Sequence, residues 1–251
     1  MQKAFPFTYQ GYRDLIHLLQ NHDYVFTNYH DHQKFKRSVI LRHDIDNDIT
    51  KALKMAETEA EEQVNSTYFV LLRTDAYNPA SAKNIARLKR LQELGHEVGL
   101  HFDEKAYGPQ TIEEIKAHIM NEISILASLL GAPVSTVSMH RPSPLMLESE
   151  IVIPGIINSY GHVFFKEFKY LSDSRRNWRE PAREIIRSGR FEKLHILTHP
   201  FWYHDTEENI SKTLMDFIES ARDERLIQVQ ENIKDLESIL PQAVQTDENR
   251  K

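Results

Sequence analysis

The sequence predicts an α/β fold, namely a single-domain, distorted β/α barrel with mostly parallel strands. Short apolar runs alternate with amphipathic helical segments, and no internal repeat interrupts this alternation. The length of 251 residues suits one barrel better than two domains. We expect an N-terminal cap segment over residues 1–35, a barrel domain over residues 36–240 and a polar tail over residues 241–251.

Each predicted element follows from a local pattern. Strands are predicted where β-branched and aromatic residues cluster between turn residues, at residues 38–42, 66–72, 96–101, 134–140, 164–171 and 194–198. Helices are predicted where apolar residues recur every three or four positions, at residues 12–20, 49–62, 80–94, 111–130 and 210–221, with a further helix from residue 226. The helix that begins at Thr111 has a capping-box sequence, with Glu114 three positions later, and Gly131 ends it.

Composition excludes several classes of protein. Hydrophobic residues make up 40% and charged residues 27%, which is typical of a globular domain, and a formal charge of −6 argues against a nucleic-acid partner. The absence of cysteine excludes disulfides and thiolate ligands, so a bound metal must use His, Asp, Glu or water. No apolar run approaches the ~20 residues of a membrane span, and no apolar core of a signal peptide follows the N-terminus. We therefore expect a cytoplasmic protein; its oligomeric state is not predicted.

Four predicted strands end in clusters that contain a histidine, with or without an acidic residue. The clusters are His43–Asp46, His101–Glu104, His140–Pro142 and His199–Trp202. Taken singly, each is more often a turn or a helix cap. In parallel α/β folds, however, the carboxyl ends of the strands form the reactive rim. Four such endings together favour a divalent metal site.

With these clusters, the chain resembles the polysaccharide deacetylase family, the carbohydrate esterases with a NodB homology domain. The resemblance covers roughly residues 36–235. Arg42–Asp46 is similar to a divergent Arg-His-Asp-Val-Asp motif, and Asn65–Leu71 is similar to an Ala-Thr-Phe-Phe strand. Leu94–His101 is similar to Gly-His-Glu-Ile-Gly-Asn-His, and Arg141–Pro142 is similar to Arg-x-Pro. Asp173 with Trp178 is similar to an Asp-Trp element, and Leu197–His199 is similar to Leu-x-His.

The resemblance implies a divalent metal held by one Asp and two His. We expect Asp46 and His101 to be ligands, with Asp44 as the catalytic base, although the roles of Asp44 and Asp46 are interchangeable at this stage. Zinc is the first choice of metal; cobalt, nickel and manganese are alternatives, and loss of the metal stays open.

The third ligand departs from the family pattern. Lys105 stands where the family has its second metal His, and an ammonium group cannot ligate. His140 is the first choice for a replacement because it ends a predicted strand next to the Arg141–Pro142 element, and Asp103, two residues beyond His101, is the second.

The resemblance also implies roles around the metal. His199 is expected to be the catalytic acid, Arg141 to hold the base ionised, and Asp173 to orient a His or Arg141. Trp178, Trp202 and Pro142 are predicted to wall the acyl pocket or to contact the sugar. For the two Trp residues, plain core packing is an equal alternative.

These expectations define a function. The chain is predicted to be a metal-dependent hydrolase that removes an N-acetyl, or another amide-linked acyl, group from an acetylated sugar or oligosaccharide. One alternative is an amide hydrolase acting on a small non-sugar substrate. Another is an inactive carbohydrate-binding relative. A phosphate-handling enzyme is disfavoured because no Gly-rich phosphate loop is present.

Overall fold

The computed structural model describes residues 4–108 and 111–240. The chain divides into one compact unit that ends at Glu207 and a second that begins at Glu208. The predicted tail, residues 241–251, lies outside the described residues.

The first unit contains a single sheet in which every strand pair is parallel. Its strands are β1 (Val25–Thr27), β2 (Ser38–Ile45), β3 (Thr67–Leu71), β4 (Glu97–Phe102), β5 (Thr136–Met139), β6 (Ile157–Asn158), β7 (Lys169–Ser172) and β8 (Lys193–Thr198). The strand order is β6-β5-β4-β3-β2-β8-β7, and β1 pairs with the first half of β2. Within the described ranges, no pairing joins β6 to β7, so the barrel is open and distorted. The predicted fold class is confirmed.

Helices and short 3-10 turns connect these strands. The helices of the first unit are α1 (Tyr9–Gln20), α2 (Ile49–Glu61), α3 (Ala82–Glu93), α4 (Ile112–Leu130), α5 (Pro144–Glu148), α6 (His162–Lys166) and α7 (Ala182–Ser188). The 3-10 turns are His32–Lys34, Glu104–Ala106, Ser174–Arg176 and Pro200–Trp202. Asp48 caps α2, and the capping box of Thr111 and Glu114 opens α4, because their side chains accept the first free N–H groups of each helix.

The second unit consists of α8 (Ile210–Asn232) and α9 (Leu236–Ile239). The segment after residue 226, predicted as a separate helix, continues α8. Across residues 4–108 and 111–240, every helix is too short or too polar to cross a bilayer.

The two faces of the sheet carry different side chains. On β2, Val39 and Leu41 point outward and pack in an apolar cluster with helix residues, whereas Ile40, Arg42 and Asp44 point inward. The curl of the sheet is visible in one contact, because the Arg42 guanidinium reaches Ser138 on β5 although two strands lie between. Neighbouring strands are ~4.8 Å apart, so this contact requires a curved sheet.

One predicted element is wrong in part. Residues 164–171 were expected to form one strand, but Phe164 lies in α6 and the strand begins only at Lys169. Phe164 and Phe168 are four positions apart, and both bury their rings in the interior cluster with Tyr29. Lys166, midway between them, is exposed, so the burial of these rings follows helical spacing rather than strand alternation.

Candidate active site and metal centre

The candidate site lies at the carboxyl ends of β2, β4, β5 and β8. These strands, together with β3, are consecutive in the sheet, and the curl brings their ends to one rim. Asp44 lies near the end of β2 and His101 near the end of β4, whereas Asp46, His140 and His199 directly follow β2, β5 and β8. A sheet that places four strand ends side by side explains why residues far apart in sequence meet here.

Three of these side chains point their ligand atoms at one another. Asp46 Oδ1 lies 3.2 Å from His101 Nε2 and 3.2 Å from His140 Nδ1, and the two nitrogens are 3.1 Å apart. Within residues 4–108 and 111–240, these three side chains form a group that could hold a metal ion. The sequence predicted these three residues as ligands.

The triangle has the size that a tetrahedral ion requires. Ligand atoms ~2.1 Å from a tetrahedral ion lie roughly 3.4 Å from one another, which is close to the observed separations. Asp46 Oδ1 is buried, yet within the described residues it accepts no well-aligned hydrogen bond. A carboxylate oxygen and two imidazole nitrogens are also a donor set that zinc and similar divalent ions accept. The residues present therefore fit a metal ion.

Asp44 lies beside this triangle in a fully buried ion pair. Arg42 Nε donates to Asp44 Oδ1 over 2.8 Å, and Arg42 Nη2 donates to Asp44 Oδ2 over 2.7 Å. Asp44 Oδ2 is also 3.5 Å from His101 Nε2. Burial alone would raise the pKa of Asp44, but Arg42 and the nearby His101 hold it below its usual value. Asp44 is therefore an ionised, rigidly held carboxylate.

His199 lies nearest to Oδ2 of Asp46, the carboxylate oxygen that does not face His101 and His140. Its Nδ1 is 2.7 Å from Asp173 Oδ1, and its backbone N–H donates to the same carboxylate. Tyr203 donates a further hydrogen bond to Asp173, which is fully buried. Burial lowers the pKa of His199, but the hydrogen bond and charge of Asp173, with Asp46 and Asp44 farther off, raise it to about 9. His199 Nε2 is 3.9 Å from Asp46 Oδ2, so its N–H faces the cluster.

Two predicted site residues lie in another pair. Arg141 donates to Asp103 rather than to Asp44, and it is half exposed. Asp103 also accepts from the backbone N–H of Lys105, which positions the following 3-10 turn. The partner predicted for Asp44 was therefore wrong. Arg42 pairs with Asp44 because residues two apart on a strand share a face.

The predicted aromatic contacts with substrate fall mainly in the core. Trp178 is buried and packs edge-on against Phe5, and Trp202 is half-buried against the same apolar cluster. For Trp178, the structure fits core packing, which was the alternative prediction for both Trp residues. Pro142 is half-buried in the loop after β5, between Arg141 and helix α5.

Sequence reasoning missed three side chains of the site. Arg42, Ser138 and Tyr203 are all buried, and each donates or accepts a hydrogen bond within it. Strand alternation gave a usable signal for Arg42. Ser138 and Tyr203 showed no local pattern that separates them from ordinary core residues.

Comparisons with known proteins give remote structural similarities only. No protein-family profile matches the chain, and no curated protein matches it. A family 4 acetyl xylan esterase from Clostridium thermocellum, solved with a cobalt ion, is similar at 15% identity and a TM-score of 0.44, over 74% of this chain and 84% of that one. IcaB from Ammonifex degensii is similar at 14% identity and a TM-score of 0.45, over 59% of this chain and 73% of that one. A family 4 pseudoenzyme from Bacillus anthracis is similar at 13% identity and a TM-score of 0.43, over 74% of this chain and only 62% of that protein.

Proposed function

We propose that this chain is a metal-dependent hydrolase that removes an N-acetyl, or another amide-linked acyl, group from a carbohydrate. One observation carries the proposal. The Asp46, His101 and His140 ligand atoms form a triangle of 3.1–3.2 Å, flanked by an ionised carboxylate and by an oriented imidazole. Three protein ligands and a free position are what hydrolytic metal sites use.

The metal contributes one part of the chemistry. Asp46, His101 and His140 would hold a divalent ion, which would supply Lewis-acid polarisation of the scissile carbonyl and acidify water at the site. Zinc is the first choice for a site with one carboxylate and two imidazole ligands.

Asp44 acts as the general base in this proposal. Arg42 occupies one lone pair on each of its oxygens, which fixes the plane of the carboxylate while leaving a lone pair on each oxygen. The carboxylate takes up a proton from the attacking water. Because it is held ionised, it is ready at neutral pH.

His199 acts as the general acid. Asp173 accepts from Nδ1, so the proton on Nε2 points towards the cluster and is available to the departing amine. Although burial lowers the pKa of His199, the hydrogen bond and charge of Asp173 raise it, which favours the protonated imidazole that an acid requires. The base pairs with an arginine, which favours its ionised, proton-accepting form. The acid pairs with a carboxylate, which favours its protonated, proton-donating form.

The test is acetate release from N-acetylated chitooligosaccharides by the purified, metal-loaded protein. We expect Asp44→Asn to lose activity by about 10²- to 10⁴-fold while it keeps its metal. His162→Gln, on an exposed residue that pairs with Glu150, serves as the matched control and is expected to retain full activity. Activity that survives both chelation and the Asp44 change would reject the mechanism.

A second candidate substrate class is favoured by the position of Trp178. Because this ring packs in the apolar core, the described site contains one fewer aromatic surface for a sugar than the sequence predicted. A small linear or cyclic amide needs no such surface. Hydrolysis of small amides without hydrolysis of chitooligosaccharides would identify this class.

A further inference from the structure

The hydroxyl of Ser138 contacts both His101, a proposed metal ligand, and Arg42, the partner of the proposed base. Ser138 is fully buried on the inner face of β5, and its Oγ is 3.2 Å from His101 Nδ1 on the neighbouring β4. The same Oγ accepts a hydrogen bond from Arg42, the partner of Asp44. We propose that Ser138 is a positioning residue that sets the affinity of the centre for its metal by fixing the His101 ring. This inference rests on the metal centre of the proposed function.

The chemistry of an imidazole ligand explains the need for such a residue. His101 faces Asp46 and His140 with Nε2, and a nitrogen that binds a metal must present a lone pair. The neutral ring must then carry its proton on Nδ1, which requires an acceptor in a buried site. In residues 4–108 and 111–240, Ser138 Oγ is the partner of this nitrogen.

A hydroxyl oxygen can satisfy both neighbours at once. It has two lone pairs, so one accepts from Arg42 and the other accepts from His101 Nδ1–H. Arg42 is always a donor, so one lone pair of Ser138 is always used in this way. The chain Asp44–Arg42–Ser138–His101 therefore joins the proposed base to a metal ligand through three hydrogen-bonded contacts.

Loss of the hydroxyl has a direct consequence for metal binding. Without Ser138 Oγ, the His101 Nδ1–H is buried and unpaired, and the ring loses the contact that fixes its rotation. Partners of this kind behind a metal-bound His typically change affinity by 10- to 100-fold. A role in packing alone would not change metal affinity selectively.

The experiment measures zinc affinity by competition with a chromophoric chelator, using the full chain. We expect Ser138→Ala to raise the zinc Kd by about 10- to 100-fold. Thr136→Val is the matched control, because Thr136 lies two positions earlier on the same face of β5 and its buried hydroxyl has no hydrogen-bond partner in the described residues. The control should bind zinc as tightly as the wild type.

A pair of variants with side chains of equal volume separates the loss of the hydroxyl from an effect of misfolding. Ser138→Thr keeps a hydroxyl and Ser138→Val does not, so the Thr variant should bind zinc more tightly than the Val variant even if both are less stable. Equal zinc affinity in wild type and Ser138→Ala, or in the Thr and Val variants, would overturn the inference. So would an equal loss in Thr136→Val. A wild type that binds no zinc would instead reject the metal centre itself, and this inference with it.

Discussion

A buried carboxylate on the outer face of the sheet provides the sharpest stability prediction. Glu59 of α2 is fully buried and accepts hydrogen bonds from the hydroxyl groups of Tyr12, Ser66 and Tyr68, at 2.6–2.7 Å. His43 Nε2 lies 2.9 Å from the same carboxylate. Because β2 alternates, His43 points away from the candidate metal site and towards this network, although it stands between Arg42 and Asp44. We expect Glu59→Gln to destabilise the fold strongly.

The magnitude follows from the pKa of Glu59. Burial raises this pKa. The charge and hydrogen bond of His43, followed by the charge of His96 and the hydrogen bond from Ser66, outweigh burial and lower the pKa from 4.5 to about 2. A carboxylate whose pKa falls by this amount on folding contributes about 3 kcal/mol at pH 7. Replacing one member of a buried charged network by a neutral group typically costs ~3–5 kcal/mol, which agrees.

The pH dependence gives this contribution a sign. Since the folded pKa is depressed, the stabilisation is fully present above pH 4.5 and disappears as pH falls through about 2. The difference in unfolding free energy between wild type and Glu59→Gln should therefore shrink by about 2 kcal/mol between pH 7 and pH 3.

Urea unfolding followed by circular dichroism at both pH values measures these differences. Glu57→Gln is the control, because Glu57 is exposed on the same helix, and its effect should stay within ~0.5 kcal/mol. A Glu59→Gln protein within ~1 kcal/mol of wild type at pH 7, or a difference that does not change with pH, would refute the reasoning.

Two further predictions concern the proposed active site. Asp173→Asn removes the charge that orients His199, so kcat for acetate release should fall by about 10²- to 10⁴-fold with metal content unchanged; a variant with wild-type kcat would contradict the acid role. Arg42→Lys breaks a buried pair with two hydrogen bonds that an ammonium cannot replace, so it should lower the free energy of unfolding by ~3–5 kcal/mol. Arg141→Lys, at a half-exposed position, should lower it by less than ~1 kcal/mol. Urea unfolding measures both. Equal costs for the two arginines would contradict the described pairing.

Much of the fold was predictable because parallel strands and amphipathic helices leave periodic signals. The capping box at Thr111 marked a helix start that the structure has at the same place. Strands β1 and β6 were missed because they have three and two residues, too few for a pattern. Residues 164–171 were misassigned because their aromatic residues suggest a strand, whereas burial at Phe164 and Phe168 with exposure at Lys166 between them follows a helical period.

The candidate site was predictable only in its strand-end residues. Asp46, His101 and His140 each follow or end a strand, and the order of the strands then brings them together. The partner of Asp44 was misassigned, because a motif match pointed to Arg141 while strand alternation pointed to Arg42. Contacts across the interior, such as those of Ser138, depend on the curl of the sheet, which no local pattern encodes.

The central claim is that His140, together with Asp46 and His101, completes a metal site and that Lys105 takes no part in it. The most direct measurement is the zinc stoichiometry and affinity of wild type, His140→Ala and Lys105→Ala. The account predicts about one ion per chain in the wild type, an affinity at least 100-fold weaker in His140→Ala, and wild-type binding in Lys105→Ala, since Lys105 is an exposed side chain. Wild-type zinc affinity in His140→Ala would contradict it.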